Sequence, residues 1–289
     1  MKVRANGIEL EVEIDGPETG TPVLLIMGLG MQLTAWPHAL VKSLVDHGCR
    51  VIRFDNRDIG LSQRFDHLPT PAIGWSAVRH ALGLKVAAPY TLNDMAADAI
   101  GLLDALGIER AHVCGVSMGG MIAQLVAARQ PQRVQHLALM LTTSGARSLP
   151  GPTLKARAAL LSRPRGRGED AMVAHGVKVL SAIASPGYPP DPVELESRVR
   201  AAYHRSFRPR GFTRQLLAIA ASPDRSPLLA QIQAPTRILH GSADPLVPAA
   251  CARDLAAKIP RAQLSVIDGM GHDLPVALVP RFVAAILGT

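Results

Sequence analysis

The chain is punctuated by short, unbroken apolar runs: PVLLIM (22–27), RVIRFD (50–55), AHVCGV (111–116), QHLALML (135–141), TRILHG (236–241) and QLSVID (263–268). No other pattern in the sequence restricts the fold as much. Runs of this length and character suit strands that are covered on both faces, which is the condition of a parallel sheet. Segments with helical spacing lie between them. The clearest is TLNDMAADAIGLLDALG (91–107), where Leu92, Met95, Ala99, Leu102, Leu103 and Leu106 share one side. Thr91 and Asp94 resemble a capping box at its start, and Gly107 stands where the helix would end. Ahead of the runs, Asn6-Gly7 sits between two alternating stretches in VRANGIELEVEID (3–15). That is the strongest short-range signal for a β-hairpin. Counting the hairpin, the sequence predicts eight strands, with helices alternating from the third onward. The fold class is therefore α/β, with a doubly wound, mostly parallel sheet and helices on both faces.

The alternation breaks after Leu141 and resumes near Pro235. The interval is helical in pattern, with candidate helices near 152–163, 170–184, 192–206 and 211–221. Asp191-Pro192 forms a good N-cap and first-turn pair. A helical insertion of this length between two strands reads as a cap over one sheet edge. We assign residues 145–225 to that cap, and 1–144 with 226–289 to the core. The stretch from Ser62 to Tyr90, which contains Trp75, is also too long for an ordinary connection and reads as part of the same roof.

Charge follows the same division. The net charge is +8. Between Gly145 and Gln215 there are 13 Lys and Arg against 5 Asp and Glu, so the rest of the chain is balanced at 18 of each sign. Aromatic residues make up only 3% of the chain, and no nucleic-acid-binding motif accompanies the basic excess. A solvated basic face is the better reading, and nucleic acid is not an expected partner. The N-terminus MKVRANGIEL has no apolar stretch of the signal-peptide kind, and no apolar run reaches the ~18 residues needed to span a bilayer. We expect a cytoplasmic protein without integral membrane association. Cys49, Cys114 and Cys251 are odd in number and widely spaced, which argues against a disulfide framework or a zinc site.

Chemistry concentrates in HVCGVSMGGMIAQ (112–124). Residues 115–119 match G-x-S-x-G, which is a weak signal alone. The context strengthens it, because an apolar strand leads into the motif and a helical pattern leads out. A strand turning directly into a helix forces the corner residue into a strained conformation. Glycines at 115 and 119 relieve crowding in the turn, and Gly120 lets the helix pack close to the sheet. Ser117 is thereby exposed at the C-terminal edge of the sheet, as a nucleophile would be. A serine needs a base, and His272 lies in the loop DGMGHDLP after the last strand, at the same edge. His240 is the alternative, within the end of a strand. The base needs an orienting carboxylate. Asp244, in HGSADPLVP, follows the seventh strand, whereas TTSGA (142–146) after the sixth has no acid. Asp268 and Asp273 flank His272 too closely in sequence to align with its ring. An oxyanion would require donors, and the N–H of Met118 and that of Leu29, in the MGLG loop (27–30), are the candidates.

MGLG, FDNRDIGLS (54–62), residues 90–124, HGSADPLVP and GMGHDLP together resemble the α/β-hydrolase superfamily over nearly the whole chain. GLGMQLTAW (28–36) and DNRDIGLS are most similar to the branch of carboxylic ester hydrolases that includes aclacinomycin methylesterase. The resemblance implies an α/β-hydrolase fold, Ser117 as nucleophile, His272 as base, Asp244 as acid, and Leu29 with Met118 as the oxyanion hole. Met27 departs from the pattern, since many relatives carry histidine there. Serine at 117 also separates the chain from epoxide- and halide-processing relatives, which use aspartate, and from dienelactone-type relatives, which use cysteine. Asp55, Arg57 and Asp58 read as a salt-bridged structural loop. The expected reaction is cleavage of a small to medium apolar carboxylic ester through an acyl-enzyme, with no metal or organic cofactor. The same three side chains would also serve an acyltransferase or a peracid-forming enzyme. A ligand-binding receptor is the alternative from another class.

Overall fold

The computed structural model describes residues 1–289, the side chain of His80 excepted. The strands are β1 (Lys2–Ala5), β2 (Ile8–Asp15), β3 (Thr21–Ile26), β4 (Cys49–Phe54), β5 (Ala111–Val116), β6 (Val134–Met140), β7 (Thr236–Gly241) and β8 (Gln263–Ile267). The helices are α1 (His38–Asp46), α2 (Ile73–Ala81), α3 (Leu92–Ala105), α4 (Met118–Arg129), α5 (Leu154–Leu161), α6 (Glu169–Ile183), α7 (Pro192–Arg205), α8 (Pro209–Ala221), α9 (Ser226–Leu229), α10 (Ala250–Lys258) and α11 (Val279–Leu287). All eight strands form one sheet in the order β1-β2-β4-β3-β5-β6-β7-β8. The β1/β2 and β2/β4 pairs are antiparallel and every other pair is parallel.

The local signals are realised as read. Asn6 and Gly7 adopt φ of 48° and 77°, the turn that joins β1 to β2. Thr91 and Asp94 complete a reciprocal capping box at the start of α3, with Thr91 N donating to Asp94 Oδ2 at 2.7 Å. The Asp191 carboxylate accepts from the N–H groups of Val193 and Glu194 at 2.9 Å, opening α7. The helix starting at 209 begins slightly earlier than its apolar pattern, because Pro209 sets the first turn.

Residue alternation divides the core into two layers. In β3, Leu24 and Ile26 face α3 and α4, whereas Val23 and Leu25 face α1 and α11. In β6, Leu137 and Leu139 face the first layer, and Ala138 with Met140 the second. Helices cover both faces of these central strands, which explains their unbroken runs, whereas β8 at the sheet edge leaves Ser265 and Val266 exposed, so the expectation of cover on both faces fails there.

The topology also sets where chemistry can occur. The chain passes from β3 to β4 on one side, then crosses back to β5 on the other. The loops leaving β3 and β5 thus diverge at a switch point, where open α/β sheets bind ligands. Five helices, α5 to α9, lie between β6 and β7, and α2 packs against α8.

Candidate active site

Ser117 stands between β5 and α4 with φ of 56° and ψ of −118°. A non-glycine residue in this region stores about 1–3 kcal/mol and persists only where its surroundings hold it. Here Ser117 N donates to Met140 O at 2.9 Å, and the Thr142 hydroxyl donates to Ser117 O at 2.7 Å. The neighbouring glycines prevent backbone collisions. A Cβ on Gly119 would lie 2.0 Å from the Ile26 carbonyl oxygen, and one on Gly115 2.2 Å from that of Gly119. At Gly120 the obstacle would be the Thr142 side chain, at 2.7 Å.

The structure brings Ser117, His272 and Asp244 together across 155 positions of sequence. His272 Nε2 lies 3.0 Å from Ser117 Oγ, and His272 Nδ1 lies 2.7 Å from Asp244 Oδ2. The Asp244 side chain is fully buried and that of His272 is 7% exposed. The other oxygen, Asp244 Oδ1, accepts from Leu246 N at 2.9 Å and Val247 N at 2.8 Å. These two bonds orient the carboxylate and leave Oδ2 for the ring. His272 N in turn donates to Ile183 O at 2.7 Å, so the end of α6 braces the histidine loop. Ser185 reinforces that brace, its N–H donating to Asp273 Oδ1 at 3.1 Å and its hydroxyl to the same oxygen. Burial pushes the Asp273 carboxyl above its ordinary range.

The other candidates fall elsewhere. His240 Nε2 donates to Val247 O at 2.7 Å and lies 3.5 Å from Asp244 Oδ2. The ring is buried, burial pushes its pKa down, and Nδ1 has no partner among the described residues. It is therefore a neutral neighbour of the carboxylate and makes no contact with Ser117 among the described residues. His112 and His136 bond to the Ile286 and Ala285 carbonyls at the end of α11, each at 3.0 Å. Asp268 accepts from the Ser242 hydroxyl at 2.9 Å, away from the His272 ring.

The loop after β3 lies against the serine. A Cβ on Gly28 would sit 3.3 Å from Ser117 Cβ and 3.8 Å from Ser117 Oγ. Gly30 N donates to Gln215 Oε1 at 2.9 Å, while the N–H groups of Leu29 and Met118 have no acceptor among the described residues. Gln215, on α8, also donates from Nε2 to Arg57 O at 2.9 Å and is fully buried. Nothing in the sequence singled it out, because its partner is 185 positions away and a mid-helix glutamine has no local signature.

The FDNRDIG loop anchors this arrangement. Asp55, fully buried, accepts from Leu33 N and from Arg205 Nη1 of α7, both at 2.7 Å. Asp58 accepts from Arg214 Nη2 of α8 at 2.8 Å and from Tyr90 Oη at 3.1 Å. Arg57 pairs with Asp98 at 2.6 Å, and its guanidinium lies 5.3 Å from the ring centres of Phe65 and Tyr90. Asn56 Nδ2 donates to Met27 O at 2.9 Å, fixing the residue that precedes the glycine loop. The salt-bridged reading of this loop thus matches the bonds that its side chains make.

Cys49, Cys114 and Cys251 are unpaired and buried, and burial raises the thiol pKa of each. No group of three His, Cys, Asp or Glu side chains suited to a metal ion occurs among the described residues. No helix among them is long and apolar enough to cross a membrane.

The sequence profile of the alpha/beta hydrolase fold matches residues 21–276. Rhodomycin D methylesterase of Streptomyces sp. (strain C5) is 31% identical, over 94% of this chain and 91% of its own. Poly(3-hydroxyalkanoate) depolymerase of Ectopseudomonas oleovorans is 32% identical, over 87% of this chain and 78% of its own. The crystal structure of a meta-cleavage product hydrolase from Pseudomonas fluorescens IP01 shares the fold, with a TM-score of 0.75, 24% identity and coverage of 100% and 96%. With a profile match across most of its length and a relative above 30% identity along nearly all of it, this chain belongs to the alpha/beta hydrolase fold family.

Proposed function

We propose that the chain is a carboxylic ester hydrolase with Ser117 as its nucleophile. The observation that carries this reading is the relay from Ser117 Oγ to His272 Nε2, at 3.0 Å, and from His272 Nδ1 to Asp244 Oδ2, at 2.7 Å. The buried carboxylate holds a proton on Nδ1 and leaves Nε2 free to accept one. His272 takes the Ser117 proton as the oxygen attacks the ester carbonyl. The N–H groups of Leu29 and Met118 receive the tetrahedral oxyanion. His272 then protonates the leaving alcohol, and water releases the acid from the acyl-enzyme by the same route. Residues 145–225 act as a cap, with the core formed by 1–144 and 226–289. Substrate sits between the Gly28–Gly30 loop and the cap, and is a small to medium apolar ester. The methylesterase names of the relatives support a short alcohol as leaving group.

A panel of p-nitrophenyl esters from acetyl to long acyl chains tests the proposal. Ser117→Ala should lower kcat by at least about 10⁴-fold, as loss of a serine nucleophile does. A fluorophosphonate probe should label the wild type at Ser117 and leave the variant unlabelled. Equal activity of the two proteins would overturn the nucleophile assignment. Tight ligand binding without turnover of any ester would favour a receptor.

A further inference from the structure

Helix α2 reverses the usual order of a surface helix. Its Ser76 is buried, at 5% exposure, while Trp75 is 65% exposed and Ile73 and Val78 also face outward. Leu82, at 69%, and Leu84 continue the apolar surface beyond the helix. A soluble surface helix ordinarily turns its apolar side chains to the core, and a contiguous exposed patch marks a contact surface.

The charge along the two stretches that form this face is of one sign. Residues 67–93 and 145–168 contain no Asp or Glu, against eight Lys and Arg. In the second stretch Arg147, Lys155, Arg157, Arg163, Arg165 and Arg167 are all exposed, and none forms a salt bridge among the described residues. Arg79, which donates to Lys85 O at 2.7 Å, and Lys85 belong to the patch itself and form no salt bridge among the described residues. The two stretches meet where Gly83 abuts Arg147, since a Cβ at 83 would lie 2.5 Å from its guanidinium. Leu154 and Leu161 add exposed apolar side chains to the second stretch.

We propose that this face of the roof docks onto an anionic lipid surface. Apolar side chains, one of them tryptophan, would enter the boundary between headgroups and acyl chains, and the unpaired cations would meet lipid phosphates. Charge complementarity selects lipid over a neutral partner. The aliphatic character of Val78, Leu82 and Leu84 selects it over nucleic acid, where aromatic side chains would stack on bases. The inference goes beyond the ester-hydrolase reading and stands independently of it.

The chain has two tryptophans, and the other, Trp36, is 2% exposed. Emission changes therefore report Trp75. The test uses Ser117→Ala, so that no lipid ester is consumed, with vesicles of phosphatidylcholine alone or mixed with phosphatidylglycerol. Mixed vesicles should shift the emission to the blue and bind at least about tenfold tighter than neutral ones, with binding falling steeply as salt rises. Leu82→Glu combined with Leu84→Glu should weaken binding at least about tenfold, as charges cannot enter the apolar layer. The same double substitution in the wild-type background should leave hydrolysis of a soluble ester within about twofold and the unfolding midpoint unchanged. Equal binding to neutral and mixed vesicles would overturn the proposal. So would tighter retention by single-stranded DNA, or self-association that already shields Trp75 without vesicles.

Discussion

Two groups of cations, one in α7 and α8 and one in α2, α5 and the loops beside them, are held in opposite ways. On the α7–α8 side, Arg205 and Arg214 reach buried carboxylates of the core, Asp55 and Asp58, and Gln215 bridges Gly30 to Arg57. The surface of α7 is also paired, with Arg200 bonded to Glu169 at 2.6 Å and to Glu196 at 3.0 Å. On the α2–α5 side the cations form no salt bridge among the described residues, and Trp75, Val78, Leu82, Leu84, Leu154 and Leu161 are exposed. A charge excess counted along the chain thus divides into a structural part, neutralised by the FDNRDIG loop, and a free part that faces outward. Arginine content alone distinguishes neither; the difference is whether a carboxylate on another element meets it.

The largest expected effect tests this contrast directly. Arg214→Ala leaves Asp58 buried and unpaired, at 1% side-chain exposure, and should cost about 3–5 kcal/mol in urea unfolding. Arg163→Ala, on the free side, should change stability by no more than about 0.5 kcal/mol. Equal costs would erase the distinction between the two sides.

A smaller effect tests whether the pinned side serves the chemistry. Gln215→Leu removes the acceptor that holds Gly30 N, next to the proposed Leu29 donor. We expect kcat for a soluble ester to fall about tenfold, short of the 10²–10³ for outright loss of a donor, with KM little changed. Gln215→Glu keeps an acceptor for Gly30 but sets a buried carboxylate against the Arg57 carbonyl that Nε2 now serves, and should not recover the rate. A change confined to KM would instead make Gln215 a substrate contact.

The smallest effect concerns pH. Asp66 lies 3.0 Å from Arg214 Nη2, and that hydrogen bond holds its carboxyl below the ordinary carboxylate range. A lowered folded value means that its contribution is present above the unfolded pKa, about 3.9, and is lost as pH falls through the folded value. The stability difference between wild type and Asp66→Asn should therefore be constant near neutrality and shrink toward zero below about pH 4. A difference that stays constant down to the acid limb would show that Asp66 gains nothing from Arg214.

Much of the molecule was legible in the sequence because its signals are local. The six apolar runs marked β3 to β8, and the alternating stretches around Asn6-Gly7 marked β1 and β2. Asn6-Gly7 and Thr91 with Asp94 marked a turn and a cap, because each acts within four residues. Ser117 could be read from its glycines, and His272 and Asp244 from loops after strands that end at one edge. Gln215, Arg205 and the Ser185–Asp273 brace were not legible. Each is an ordinary residue whose significance lies in a partner more than 80 positions away.

By itself the sequence determined the strands and helices, the strained corner at Ser117 and the residues available for its chemistry, because spacing and backbone sterics act over a few positions. The tertiary structure decided which charges are neutralised, which apolar helix face remains uncovered, and how closely His272 approaches Ser117 and Asp244. The charge pairing depends on α7 and α8 packing onto the loops after β3 and β4, and the His272 contacts depend on the loops after β7 and β8 with the end of α6. A hydrogen bond or an ion pair forms only when such packing brings its two groups within about 3 Å of each other.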